Sequence, residues 1–222
     1  MTQLRHHFTE ELDQLRLQVE LMAVRVDENL ERMREVLRTG DPDLAGRMIA
    51  GDDDIDAMNV SLTERCYDLL RREAPVASDL RFVVSVLRVL SELERIGDLA
   101  LRVAKKAPDH DALRANPVTF DVLLAISDDA VERFRTALRA WASMDLGLAT
   151  DLTTTHPAMD VLQERLMLES LRVGGYDAAR IAVATFAVGR SLERIGDHAA
   201  VIGARLRYLI TGDPAHLAAE VR

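Results

Sequence analysis

The sequence predicts an all-α fold in which a three-helix unit occurs twice in tandem, and three observations carry that prediction. The 222 residues are 48% hydrophobic but only 4% aromatic, and Ala, Leu, Val, Arg, Asp and Glu dominate. That balance favours helices and is poor for an all-β fold, which leans on aromatic and β-branched residues. Apolar residues recur at spacings of three and four over long stretches, the period of a half-buried helix. Finally, the run Leu93-Glu94-Arg95-Ile96-Gly97-Asp98 returns without change as Leu192-Glu193-Arg194-Ile195-Gly196-Asp197, and Arg81 and Arg180 share the same offset. Each copy falls near the end of the third long helix of its half, as a duplicated unit requires.

Six helical segments are expected. The first runs from about Phe8 to Arg38 on a stripe of Leu12, Leu15, Val19, Met22, Val26, Leu30, Met33 and Leu37, and Thr39-Gly40 stops it. Asp41-Pro42 then offers an N-cap acceptor followed by proline at the first helical position, where no N–H is needed. The second helix extends to about Arg72. Pro75 opens the third, which carries Phe82, Val86, Val89, Leu93, Ile96 and Ala100 and ends near Lys105-Lys106, where cations suit the helix dipole. The polar stretch Ala107–Asn116 is the expected linker, so the halves divide as residues 1–112 and 113–222. Asn116-Pro117 repeats the cap-plus-proline device and opens the fourth helix. A fifth spans roughly Asp145 to Leu171, with a break expected at Thr153-Thr154-Thr155-His156-Pro157. The sixth follows Gly174-Gly175 and ends at Thr211-Gly212-Asp213-Pro214, leaving a short tail or final turn.

Charge and cysteine content narrow the function. A net charge of −9 argues against a broad nucleic-acid surface, since phosphate contacts need clustered Lys and Arg. The single cysteine, Cys66, has no disulfide partner and no second thiolate for a metal cage. The polar, mixed-charge stretch Met1–Glu11 is no signal peptide, and the longest apolar-rich run, Ile181–Val188, is too short to span a bilayer. A cytoplasmic protein is expected.

The repeated motif places two carboxylates on one helix face. Residues i and i+4 stand one turn apart, so Glu94 pairs with Asp98 and Glu193 with Asp197. Like charges there weakly destabilise a helix and call for compensation, most directly by a bound cation. Arg95 and Arg194 point roughly 100° away and are expected to answer carboxylates on a neighbouring helix. Gly97 and Gly196 cost roughly 1 kcal/mol each mid-helix, which a close backbone approach would explain. Asp52 and Asp56 repeat the four-residue spacing on the second helix, although Asp residues at a helix start also suit the dipole. In the second half His156 and Asp160 take that place, with Pro157 beside them; His156 is either a ligand or an N-cap-region residue. His198 is a further ligand candidate, while His6 and His7 look like tail residues.

Taken in order, Gly51-Asp52 through Ile55-Asp56, Pro75-Val76-Ala77-Ser78-Asp79-Leu80-Arg81, the two Glu-Arg-Ile-Gly-Asp motifs, Gly196 to Ala199 and Tyr208 to Gly212 resemble the PhoU family, accessory regulators of bacterial phosphate uptake. The resemblance covers nearly the whole chain. It implies two three-helix bundles in tandem and metal ions on the acidic motifs (iron, zinc, manganese or magnesium). Residue by residue it implicates Asp52, Asp56, Glu94, Asp98, Asp160, Glu193 and Asp197; the chain departs from the family pattern at His156, where an acid is usual. It further implies a homodimer that meets the membrane only through partners, the phosphate ABC transporter ATPase and the sensor histidine kinase of the phosphate response. That response would be held off when phosphate is ample.

No reaction is expected. A di-iron carboxylate enzyme would need Glu-x-x-His on two helices, and neither that pair nor a P-loop, Gly-x-Ser-x-Gly or His-Glu-x-x-His motif occurs. A metal-free helical scaffold is the other alternative. Direct phosphate sensing lacks a glycine-rich cradle.

Overall fold

In the computed structural model, residues 2–51, 53–154 and 156–221 are described, and among them there is no strand. The helices are α1 (Thr2–Thr39), α2 (Pro42–Ala50), α3 (Asp53–Glu73), α4 (Ala77–Ala104), the single turn α5 (His110–Arg114), α6 (Pro117–Ser143), α7 (Leu146–Thr153), α8 (Pro157–Leu171) and α9 (Ala178–Thr211), with 3₁₀ turns at Ala107–Asp109 and Pro214–Val221. No helix among the described residues is long and apolar enough to cross a membrane.

The apolar stripes do what their period requires. Leu15, Val19, Met22, Val26, Leu30, Met33 and Leu37 all lie buried along α1. Helix α1 starts earlier than the stripe suggested, at Thr2, and His6 and His7 lie exposed on it. Helices α4 and α9 form the centre and pack against each other. Around α4 lie α1 and α3; around α9 lie α6, α7 and α8; α1 meets α6 where the two units join. One contiguous apolar core runs through both. Arg135 reinforces the α1–α6 seam from outside, reaching Asp27 at 2.9 Å and Glu31 at 2.5 Å, and Arg34 pairs with Asp128.

Caps fix the boundaries. Asp41 accepts from the N–H groups of Asp43 and Leu44, and Asn116 from those of Val118 and Thr119, each with proline at the next position. The expected second helix is in fact two. Gly51 closes α2 by donating to the Arg47 and Met48 carbonyls, and α3 restarts at Asp53 with three acids in its first turn. The expected break in the fifth helix is also a stop and restart: α7 ends at Thr153, and Pro157 becomes the first residue of α8 rather than a kink within it. The stretch read as a linker is packed instead. His110 and Leu113 are buried, and His110 Nε2 lies 3.2 Å from the Arg38 carbonyl. Its ring sits where a Cβ on Gly40 would stand, and Gly40 has φ +71°, so glycine there serves both the turn and the docking.

Register between the units follows from the caps. Gly40 and Met144 both close their helices in the left-handed region, and Asp41 and Asp145 both cap the next one. Counting from these points, Asp52 corresponds to His156, Asp56 to Asp160 and Asn29 to Arg133.

Candidate functional site

In the second unit the four candidates from sequence line one cleft. His156 stands at the head of α8, Asp160 one turn on, and Glu193 and Asp197 on the facing side of α9; Arg133 of α6 and Thr153 at the end of α7 complete its polar wall. The cleft encloses about 390 Å³.

Local structure decides what each group can do. His156 is the N-cap of α8: its Nδ1 accepts from the Met159 N–H at 3.1 Å. That bond places the ring proton on Nε2, which faces Asp129 Oδ1 at 3.3 Å. Neither nitrogen keeps a free lone pair for a metal, so the N-cap reading accounts for this residue. Glu193 is held by Arg190, one turn earlier, at 2.6 Å. Asp197 lies at the mouth, where withdrawal from water pushes its carboxyl pKa up, helped by the Glu193 charge and opposed by Arg190, His198 and Arg133. Arg133 is half-buried; Nη2 donates to the Leu152 carbonyl at 3.1 Å. Burial lowers its pKa from the usual arginine value, against the opposing charges of Asp129 and Asp197. A cation of the chain's own therefore already lies near these acids.

The first unit is arranged differently. Ile55 of α3 packs onto Gly97 of α4, 3.4 Å from where a Cβ would stand, and fixes the helix crossing between Glu94 and Asp98. Asp56 follows Ile55 and is exposed; Glu94 and Asp98 are half-buried. Asp52 lies outside the described residues. The carboxylates of Asp56 and Asp98 take part in no hydrogen bond or ion pair among the described residues. Asn29, the counterpart of Arg133, is buried and uncharged, and accepts from Arg32 at 3.0 Å. Oxygen donors of this kind suit a hard metal ion. Among the described residues, however, no three His, Cys, Asp or Glu side chains already converge as a cage.

Several finer expectations need correction. Arg95 does not reach a neighbouring helix; it pairs with Glu92 on its own, at 3.3 Å. Gly97 and Gly196 admit side chains, Ile55 and Arg133, rather than a backbone. The close backbone approach occurs at Gly203, where a Cβ would fall 2.8 Å from Leu152 Cβ and 3.1 Å from the Ala149 carbonyl oxygen. His198 turns away from the cleft: its Nδ1 lies 2.6 Å from Glu92 Oε2 on α4. Sequence reasoning missed Glu92, Asp129 and Arg133. Glu92 had a signal, an acid set between the apolar Leu90 and Leu93, and Arg133 had one in its register with Asn29.

Comparison with known proteins agrees with this architecture. A family model described as the PhoU domain matches residues 19–107 and 123–206, one copy on each unit. A phosphate-specific transport system accessory protein PhoU homolog from Thermotoga maritima is 30% identical over 212 residues, 93% of this chain and 90% of the relative. The Escherichia coli accessory protein PhoU is 29% identical over 92% of this chain and 86% of its own. The crystal structure of PhoU from Pseudomonas aeruginosa superposes with a TM-score of 0.85 at 29% identity, covering 93% of this chain and all of that one. The phosphate transport system regulatory protein PhoU from Streptococcus pneumoniae gives 0.83 at 25%.

Proposed function

The chain belongs to the PhoU family of phosphate transport accessory proteins, and on that premise we propose that it is a cytoplasmic negative regulator of phosphate uptake. It acts as an adaptor, as a homodimer, between the ATPase of the phosphate ABC transporter and the sensor histidine kinase of the phosphate-starvation response. The observation that carries this reading is the family match over both units, because an adaptor needs both faces of the tandem fold. Docking rather than turnover is the role: among the described residues the acidic clefts hold caps, pairs and carboxylates but no nucleophile with an activating base.

In this reading the first unit holds a metal ion through Asp52, Asp56, Glu94 and Asp98. Iron, manganese, magnesium or zinc would supply positive charge that draws α3 and α4 together and presents an organised surface to the partner. Gly97 admits Ile55 beside the ligands, and Ile55 sets the spacing between the helices.

Two measurements test the proposal. Removing the gene should raise expression of a phosphate-starvation reporter in phosphate-replete cells; unaltered repression would refute the regulatory role. Protein purified without chelator or histidine tag should carry metal that is lost in the Glu94→Gln, Asp98→Asn variant at unchanged helicity. Equal metal content would remove the ligand assignment.

A further inference from the structure

The two acidic faces are built on the same repeated motif, yet they differ in the cationic groups that meet its charge. We propose that Arg133 is the resident cation of the second cleft, a guanidinium standing where the first unit takes a metal ion, so that only the first unit responds to metal supply. This rests on the metal role proposed above.

Position carries the inference. Gly196 lies between Glu193 and Asp197 on α9, and Arg133 Cδ and Nε lie 3.5 Å from where a Gly196 Cβ would be. The guanidinium is thus laid across the middle of the repeated carboxylate motif, through the gap its glycine leaves. It is anchored there: Nη2 donates to the carbonyl of Leu152 in the last turn of α7, an end where helix carbonyls seek cationic donors. Asp129, one turn before Arg133 on α6, and Asp197 on α9 both act on its charge. Two other would-be ligands are engaged elsewhere, His156 with the Met159 N–H and Asp129, and Glu193 with Arg190, while Asp160 stands exposed at the cleft.

Chemistry makes the substitution one-way. A guanidinium does not lose its proton in proteins and cannot dissociate from the chain, so its positive charge stays at the second face permanently. A divalent ion entering would meet that fixed charge at close range. In the first unit the corresponding residue is Asn29, which is neutral and already bonded to Arg32. The departure at His156 fits the same picture, since an acid there would no longer have a metal to bind.

The test uses the full chain with the first unit silenced by Asp52→Asn, Asp56→Asn, Glu94→Gln and Asp98→Asn. Titrated with Mn²⁺ and with Zn²⁺ by calorimetry, this parent should bind neither and its melting temperature should not move. Adding Arg133→Asn should create a site for one ion per chain, which a further Asp197→Asn removes. Metal bound by the parent and lost on Glu193→Gln with Asp197→Asn overturns the proposal, as does a folded Arg133→Asn variant that gains nothing. If Arg133→Asn does not fold, the melting of the parent with and without Mn²⁺ decides: no rise supports the resident cation, and a rise abolished by Glu193→Gln overturns it. A wild-type chain without metal would refute the first-unit assignment alone, because the gain on Arg133→Asn is read in the second cleft.

Discussion

Glu92 offers the sharpest test of how the two units are joined. Its side chain is 1% exposed on α4, and it accepts from Arg88 at 3.1 Å, Arg95 at 3.3 Å and His198 of α9 at 2.6 Å. The three partners are not equivalent. Arg88 and Arg95 are 31% and 46% exposed, so on Glu92→Ala they swing into water and each costs what a surface pair costs, about 0–1 kcal/mol. His198 is 12% exposed and loses a bond to a charged acceptor, about 1.5–3 kcal/mol. The expected loss is about 3 kcal/mol, less than the upper range for breaking a buried pair because two partners can rehydrate. In a chain of this size that lowers the melting temperature by roughly 6–12 °C. Urea unfolding of Glu92→Ala, His198→Ala and the double variant isolates the bond across the helices, with an expected coupling of about 1.5 kcal/mol or more. A loss under about 1 kcal/mol, or a coupling under about 0.5 kcal/mol, would refute the view that this contact holds α4 to α9.

Four further outcomes follow from other sites. The Asp109 carboxyl is held below the usual range by its hydrogen bond from Arg180, with Lys106 assisting, so its contribution is present above the unfolded pKa and lost as pH falls through the folded one. Asp109→Asn should therefore cost under about 1 kcal/mol at neutral pH, and the difference from wild type should vanish in acid urea titrations. Asp197 has the opposite sign: its raised pKa means stability is lost as pH rises through it, so Asp197→Asn should be more stable than wild type at neutral pH and indistinguishable below the unfolded pKa. Cys66 is buried and its thiol is pushed up to about 12, so a thiol-specific disulfide reagent should label it only after unfolding; labelling of native protein at mildly alkaline pH would contradict this. Gly203→Ala drives a methyl into Leu152 and the Ala149 carbonyl and should cost about 1–3 kcal/mol in thermal or urea melts.

Fold was legible wherever one residue type did one thing. The α1 stripe, the Asp41-Pro42 and Asn116-Pro117 caps and the Gly212 stop each state their role locally, and the structure places each where its chemistry puts it. The repeated motif revealed the duplication because six identical residues have no other simple source. What remained hidden depended on partners far along the chain. Nothing near Ala107–Asn116 announces that His110 will cover Gly40, so a polar stretch with a proline reads as a linker. Gly203 reads as one more helical glycine until α7 is laid against it. At the candidate site the helix period placed Glu193 with Asp197 correctly, but the cation between them comes from α6, beyond the reach of any spacing rule within α9.

The same two units show how duplication and divergence are divided between apolar and polar positions. Apolar stripes must stay in register, since one core runs through both halves and a shifted position would leave a void or a clash. Polar positions are freer, and there the copies part. Glu92 has Ser191 as its counterpart and His198 has Leu99, so the buried link between α4 and α9 exists in one sense and not in its mirror. Asn29 has Arg133, and Asp52 has His156. Each change puts a charge or imidazole where its copy has a neutral group or an acid, and each lands beside the repeated motif or its acidic partners. With Arg133 fixed in place, the charge of Asp197 is opposed from α6 within the chain. The first face has the neutral Asn29 at the corresponding place, and on the metal role proposed above it is the face whose state follows what the solution supplies.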